Sequence, residues 1–323
     1  MILLTGANGF LGTEIARQAL ASKWNVRATD HGPEALIPGT DYFTADILDP
    51  ESFKPILDKT DVVIHAAGVA HVFSKSVART ASFWAVNETG TANVARAAAQ
   101  AGVRYFVLIS SVSVYGGSRN GGTEDSGCYP QGPYAESKYQ GELRAIEIAR
   151  ISGMPLTVLR LVTLYGEGDP GNVARLMRTI DRERFIWIGN GSNCKNLLHR
   201  EDAARACLLA AQRPAADVNV YNVSGPPCTM REVVEGLAGA LEGKLSPFVI
   251  SASWVRRISR LLLTMPVNRL QALGAMAQKW MADDVYDGST FAHAFNFQTR
   301  ISLTEGLRRE VAWYRAEQAK RGR

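Results

Sequence analysis

Tyr134 and Lys138 stand four residues apart in the stretch Gly132-Pro133-Tyr134-Ala135-Glu136-Ser137-Lys138, and Ser110-Ser111 close the apolar run Tyr105 to Ile109 upstream. Pro133 after Gly132 marks a helix start, and Glu136 to Arg150 is rich in helix formers. Tyr134 and Lys138 are therefore expected on one helix face. An ammonium beside a phenol favours the phenolate, so Tyr134 is a candidate acid/base near neutral pH. Such a pair is commonly surface decoration on an amphipathic helix. The case for chemistry rests on the serine at a strand end and on a glycine turn at the start of the chain.

That turn sits where a cofactor would need it. Ile2-Leu3-Leu4-Thr5 reads as a buried strand running into Gly6-Ala7-Asn8-Gly9-Phe10-Leu11-Gly12, with a helix from Thr13 to Ser22. A glycine turn between strand and helix lets backbone N–H groups approach a pyrophosphate. The glycines are spaced three and three, unlike Gly-x-Gly-x-x-Gly, and such turns also serve packing. The strand Asn25 to Thr29 ends in Asp30, about twenty residues on, where an acid holds a ribose 2′-OH and repels a 2′-phosphate. This favours NAD over NADP; the alternative is a surface Asp opening the loop Asp30-His31-Gly32-Pro33. Alternation continues with Tyr42 to Ala45, a helix Pro50 to Leu57, and the strand Asp61 to His65 closing on Ala66-Ala67-Gly68. A helix Ser82 to Ala101 and strands Tyr105 to Ile109 and Leu156 to Leu161 follow.

Strands separated by helices predict an α/β fold, a Rossmann-like doubly wound parallel sheet with a smaller C-terminal α/β substrate lobe. Residues 1–165 are expected to form the NAD-binding domain, with 192–215 returning to it, and 166–191 with 216–323 the lobe. Across 323 residues the net charge is +5, with no polybasic tract, which excludes a nucleic-acid-binding reading. The basic tail Lys320 to Arg323 reads as a frayed terminus. Cys128, Cys194, Cys207 and Cys228 form no Cys-x-x-Cys, so neither disulfides nor a metal site is expected. No signal-peptide core or membrane-length apolar run is evident, and a cytoplasmic location is expected. Trp254, Val255, Ile258, Leu261, Leu262 and Met265 recur at helical spacing, with Arg256, Arg257 and Arg260 on the other side. Such a helix can lie on a membrane or cap a lipid-like substrate, but the expected role is covering the lobe or packing in a dimer. His71 falls where a substrate would sit but reads as an ordinary loop histidine, and His65 and His199 as structural.

Further residues carry a resemblance: Thr5-Gly6-x-x-Gly9-x-x-Gly12, Asp30, Asp46-Ile47, His65-Ala66-Ala67-Gly68, Asn87 with Gly90-Thr91, and Ser110-Ser111. The set continues through Val114-Tyr115-Gly116, Tyr134-x-x-x-Lys138, Leu159-Arg160, Tyr165-Gly166, Leu198-His199-x-x-Asp202-Ala203 and Tyr221-Asn222-Val223. In this order it resembles the extended short-chain dehydrogenase/reductases, in their NAD-dependent epimerase/dehydratase branch acting on nucleotide sugars.

The resemblance implies a homodimer and a set of roles. Ser111 would hydrogen-bond the reacting oxygen, Tyr134 act as acid/base, and Lys138 hold the nicotinamide ribose and lower the tyrosine pKa. Gly6, Gly9 and Gly12, with Asn8, Phe10 and Leu11, would face the pyrophosphate, Asp30 the adenosine ribose, and Asp46-Ile47 the adenine. Ala66, Ala67, Gly68 and Asn87 would lie along the cofactor.

Departures narrow the reaction. Dehydratases of the branch carry an acidic pair after the active-site Ser/Thr, whereas Val112 and Ser113 stand here, so dehydration is not expected. Thr163 fills a position often held by Asn, and Lys195 one often held by a diphosphate-binding Arg, giving charge without the bidentate fork. Lys279 is the nearest cation to a second expected Arg. Ser113, Asn172 and the backbone of Phe185 to Trp187 complete the substrate candidates. The expected reaction is C4 epimerisation of a UDP-hexose through a 4-keto intermediate, for surface polysaccharide. The alternatives are a net reductase or dehydrogenase of a 4-keto sugar nucleotide or bulky alcohol, and a non-catalytic dinucleotide sensor, which the intact Ser111, Tyr134 and Lys138 oppose.

Overall fold

The computed structural model describes residues 1–70, 81–117, 122–214, 216–264, 278 and 280–321; His71, Met265 and Lys279 lie outside the described residues. Short apolar stretches form a seven-stranded sheet: β1 (Ile2–Thr5), β2 (Val26–Asp30), β3 (Asp41–Thr44), β4 (Val62–His65), β5 (Tyr105–Ser111), β6 (Leu156–Leu161) and, later in the chain, β7 (Val218–Val223). Their order is β7-β6-β5-β4-β1-β2-β3, and every pairing is parallel. Strands buried on both faces read as continuous apolar runs, and their alternate residues serve two cores. Leu3, Val63, Phe106 and Val158 meet Val94 and Ala95 of α2 (Thr91–Gln100) and Ala145 and Ala149 of α3 (Pro133–Ser152). Leu4, Ile64, Val107 and Leu159 meet Ile15 and Ala19 of α1 (Phe10–Ala21) and Ala203 and Ala206 of a helix over Arg200–Gln212. The result is the expected doubly wound α/β layering.

The chain separates into two units. The first comprises Met1–Leu164, Leu198–Gly225 and Tyr286–Arg300. The returning segment is thus longer than the expected 192–215, and it starts later. Residues 216–225, read from sequence as lobe, instead pair along β6, with Val218 opposite Leu156 and Val223 opposite Leu161. Tyr221 packs on Phe291 and Phe295, which brings residues 286–300 back as well. The single helix expected over 82–101 is broken by a wider π-helical turn, Trp84–Gly90, ahead of α2.

The second unit comprises Tyr165–Leu197, Pro226–Val285 and Ile301–Arg323. Its core joins α4 (Asn172–Asp181) through Val173, Met177 and Ile180 to a helix over Met230–Leu241 through Val233, Val234 and Leu237. Thr229 and Glu232 form a capping box at the start of that second helix, satisfying two otherwise unpaired N–H groups. The helix Ala252–Thr264 departs from expectation: Trp254, Ile258 and Leu261 are exposed, so these three side chains do not cover the lobe.

Candidate active site

The glycine turn is built by close backbone approach. Gly6 has φ of +67°, and a Cβ there would lie 2.6 Å from the Ala67 backbone. A Cβ on Gly12 would lie 2.0 Å from the Gly6 carbonyl oxygen. Only glycine fits either position. Gly9 precedes α1 without a side-chain cap, so the helix's first N–H groups, with Phe10 and Leu11 in its opening turn, face outward as an anion-binding end. Asp30 closes the far side of the turn. Its Oδ2 accepts from the Asn8 N–H at 3.0 Å and its Oδ1 from the His31 N–H at 2.7 Å. The Asn8 side chain is occupied by the Glu34 carbonyl and the Leu36 N–H. Asp46 accepts from the Leu48 N–H, and Ile47 packs where a Gly90 side chain would otherwise be. A cradle closed to any Cβ, with a carboxylate at the end of β2, fits a dinucleotide.

Asn87 fixes the other wall. It exchanges hydrogen bonds with the Val69 backbone at 2.9 and 3.0 Å and donates to the Ser137 hydroxyl at 3.0 Å. A Cβ on Gly68 would lie 3.1 Å from Asn87 Oδ1 and 3.8 Å from Lys138 Nζ, so Ala66, Ala67 and Gly68 run beside the lysine. Beneath them His65 is buried between the Thr5 hydroxyl (2.7 Å) and the Thr91 hydroxyl (3.1 Å), a structural role. Burial, helped by the Lys138 charge, pushes its pKa down to about 3. The folded chain therefore holds His65 neutral while the unfolded chain protonates it near pH 6.5. This stability is intact above 6.5 and is lost as pH falls towards 3. Urea unfolding at pH 7 and pH 5 should show the wild type losing about 2 kcal/mol more than His65→Gln over that interval.

Ser111 ends β5 and caps the following 3-10 turn, accepting from the Ser113 N–H at 3.2 Å. Its hydroxyl lies beside the phenol of Tyr134 on the first turn of α3 and favours the phenolate there. Lys138, one turn on and buried, donates from Nζ to the Ile109 carbonyl at 2.6 Å. The three residues picked from spacing are thus brought together. The expected electrostatics need correction, however. The Tyr134 pKa is pushed up, because desolvation disfavours the phenolate and the neighbouring Ser111 hydroxyl offsets only part of that. Lys138, whose ammonium is held on a backbone carbonyl, does not reverse that direction. Desolvation lowers the Lys138 pKa to about 8, opposed by the negative charge of Glu142.

Glu142 belongs to a network that spacing alone did not reveal. It lies four residues beyond Lys138 on α3 and ion-pairs with Arg160 of β6 at 2.7 Å, both side chains buried. Ser110, next to Ser111, donates to Glu142. Arg160 also donates to the Tyr115 hydroxyl at 2.9 Å, which donates to Asn222 of β7 at 2.8 Å. A glutamate one turn after a lysine on a face that must be buried was the available signal.

The substrate candidates are less uniform. Among the described residues the buried hydroxyl of Ser113 meets no hydrogen-bond partner. Thr163 is half-buried beside β6, and Asn172 is exposed at the start of α4. Phe185 and Trp187 are core residues of the second unit, packed edge to face at 5.0 Å, which leaves only their backbone to meet a ligand. Lys195 pairs with Cys228 in an antiparallel ladder and bridges Asp284.

The chain is similar to known proteins. Over 321 residues the chain is 26% identical to an N-acetyl-α-D-glucosaminyl-diphospho-ditrans,octacis-undecaprenol 4-epimerase of Escherichia coli O157:H7, covering 97% of this chain and 94% of that protein. It is 31% identical over 249 residues to a UDP-glucose 4-epimerase of Vibrio cholerae, covering 75% and 76%. The crystal structure of a Thermotoga maritima UDP-glucose 4-epimerase with UDP-glucose superposes with a TM-score of 0.79 at 22% identity, over 98% of this chain and 99% of that one. The NAD dependent epimerase/dehydratase family profile matches residues 2–224, which span the glycine turn, Asp30, Ser111, Tyr134 and Lys138. With that match over more than half its length, the chain belongs to the NAD-dependent epimerase/dehydratase family of enzymes, of the extended short-chain dehydrogenase/reductase type.

Proposed function

We propose that this enzyme interconverts C4 epimers of a UDP-hexose, working with NAD rather than NADP. The observation carrying this reading is Ser111 set beside Tyr134 with Lys138 one turn on, and with Val112 and Ser113 following the serine instead of carboxylates. When bound, the nicotinamide supplies reversible hydride transfer. Tyr134 takes the proton of the C4 hydroxyl and returns it to the opposite epimer, while Ser111 holds the oxygen between the two events. Lys138, charged below about pH 8 and held on the Ile109 carbonyl beside Gly68, is the residue that would hold the nicotinamide ribose. Without an acid pair, nothing in this position expels water from the ketone, which supports epimerisation over dehydration. Asp30 at the end of β2 supports NAD by repelling a 2′-phosphate.

The unpaired hydroxyl of Ser113 is assigned to the sugar, and the second unit, through Asn172, Lys195 and the backbone of 185–187, to the nucleotide diphosphate. A homodimer is supported by the open face of α2 and α3, where Ile151 is 81% exposed beside a groove of about 750 Å³. The work would be done in the cytoplasm, ahead of glycosyl transfer into surface polysaccharide. Among the described residues no helix is long and apolar enough to cross a membrane.

Native mass spectrometry should find NAD retained on the purified protein. NMR should show one UDP-hexose converted to its C4 epimer with no net change in nicotinamide absorbance. Stoichiometric consumption of NADPH with release of the oxidised cofactor would replace this reading with the reductase.

A further inference from the structure

A helix that merely covers a lobe turns its largest apolar side chains inward. In the helix Ala252–Thr264 the inward side is Ala252, Val255, Ser259 and Leu262, with Ser259 the buried member and Ala252 set against Gly189. The outward side carries Trp254, Ile258 and Leu261, which are 63%, 48% and 56% exposed. These recur at i, i+4 and i+7 and form one stripe. Arg256, Arg257 and Arg260 are exposed along one flank of it. Directly before the helix, Phe248, Val249 and Ile250 are exposed too. Their strand pairs with Trp187–Ile188, whose preceding residue Ile186 is a further exposed apolar side chain. Half of the exposed large apolar side chains among the described residues fall in these two short stretches, all within the second unit.

Charge selects what this face meets. From 243 to 282 the sequence holds six cations (Lys244, Arg256, Arg257, Arg260, Arg269 and Lys279) and no Asp or Glu. The remainder of the chain carries 30 cations against 31 anions, so the whole net positive charge resides in this segment. A second copy using the same face would oppose arginine to arginine with no acid to pair. An anionic lipid surface fits both features, taking tryptophan and aliphatic side chains at the headgroup boundary and arginines against phosphates.

We propose that the helix Ala252–Thr264, with the exposed residues just ahead of it, docks the second unit on an anionic membrane surface as a peripheral, non-spanning contact. This goes beyond the epimerase reading and stands apart from it, since its test reads lipid partition rather than turnover.

The test is flotation of the full chain with vesicles of phosphatidylcholine mixed with phosphatidylglycerol, and with phosphatidylcholine alone. Wild type should float with the anionic vesicles, less so at high salt, and not with the neutral ones. Replacing Arg256, Arg257 and Arg260 by Gln should lower that partition on the order of a hundredfold, each arginine near the surface contributing about fivefold. Trp254→Ser with Ile258→Ser and Leu261→Ser should also abolish flotation, while turnover of a soluble sugar nucleotide stays at the wild-type level in both triple variants. Equal binding to neutral and anionic vesicles, or variants that float like wild type, would overturn the proposal. So would a change in oligomeric mass by light scattering in either variant, which would assign the face to a second copy.

Discussion

Tyr134→Phe should lower turnover about a hundred- to ten-thousandfold, the range by which a positioned acid/base accelerates proton transfer. The structure makes this a clean substitution. The phenol's hydroxyl lies beside Ser111, and the ring packs edge to face on Phe83 at 6.0 Å, a contact phenylalanine keeps. The glycine turn, Asp30 and Asn87 that form the dinucleotide cradle are untouched, so native mass spectrometry should still find NAD on the variant. The effect should therefore fall on kcat, with the substrate's KM moved far less. Retained turnover within a factor of ten would mean that another group handles the proton, and the sensor reading would regain ground. The raised pKa adds a signature. Because burial holds the phenol protonated, turnover limited by proton abstraction should climb with pH until the Lys138 ammonium is lost above about 8.

What could be read from sequence divides along the distance over which each feature is assembled. The cradle was legible because Gly6, Gly9 and Gly12 sit within one turn, where the steric demand of a single crossing is written locally. Tyr134 and Lys138 were legible for the same reason, and Ser111 because a strand must end there. The sign of the Tyr134 shift was not, since desolvation depends on what surrounds α3 and not on its own spacing. Strand β7 reads as lobe from sequence because Val220 to Val223 gives no hint of its partner; only the pairing with β6 settles it. Helical periodicity places Trp254, Ile258 and Leu261 on one side together with Val255 and Leu262. The structure exposes the first three and turns the last two inward; spacing alone does not say where a narrow stripe ends or which face is inward. The Tyr115–Asn222 hydrogen bond joins residues 107 apart, beyond the reach of any local motif.

That long-range network is where the second large effect is expected. Glu142→Gln should destabilise the fold by about 3–5 kcal/mol, because it leaves the Arg160 guanidinium buried with no opposing charge. Attraction between the pair is not by itself evidence of net stabilisation, since both ions lost their hydration on folding. The penalty comes from removing one of them. The double variant Glu142→Gln, Arg160→Met should consequently recover much of the loss, and chemical denaturation of the three variants separates the two contributions. A cost below about 1 kcal/mol for the single change would show that Arg160 finds another partner or reaches water. The same substitution has a catalytic consequence with a definite sign. Glu142 is the charge that opposes the desolvation of Lys138, so its loss should lower the lysine pKa below about 8 and bring the alkaline fall in turnover to lower pH. A purely structural role for Glu142 would reduce stability and leave that limb where it was, whereas movement of the limb ties the buried pair to the amine that serves Tyr134.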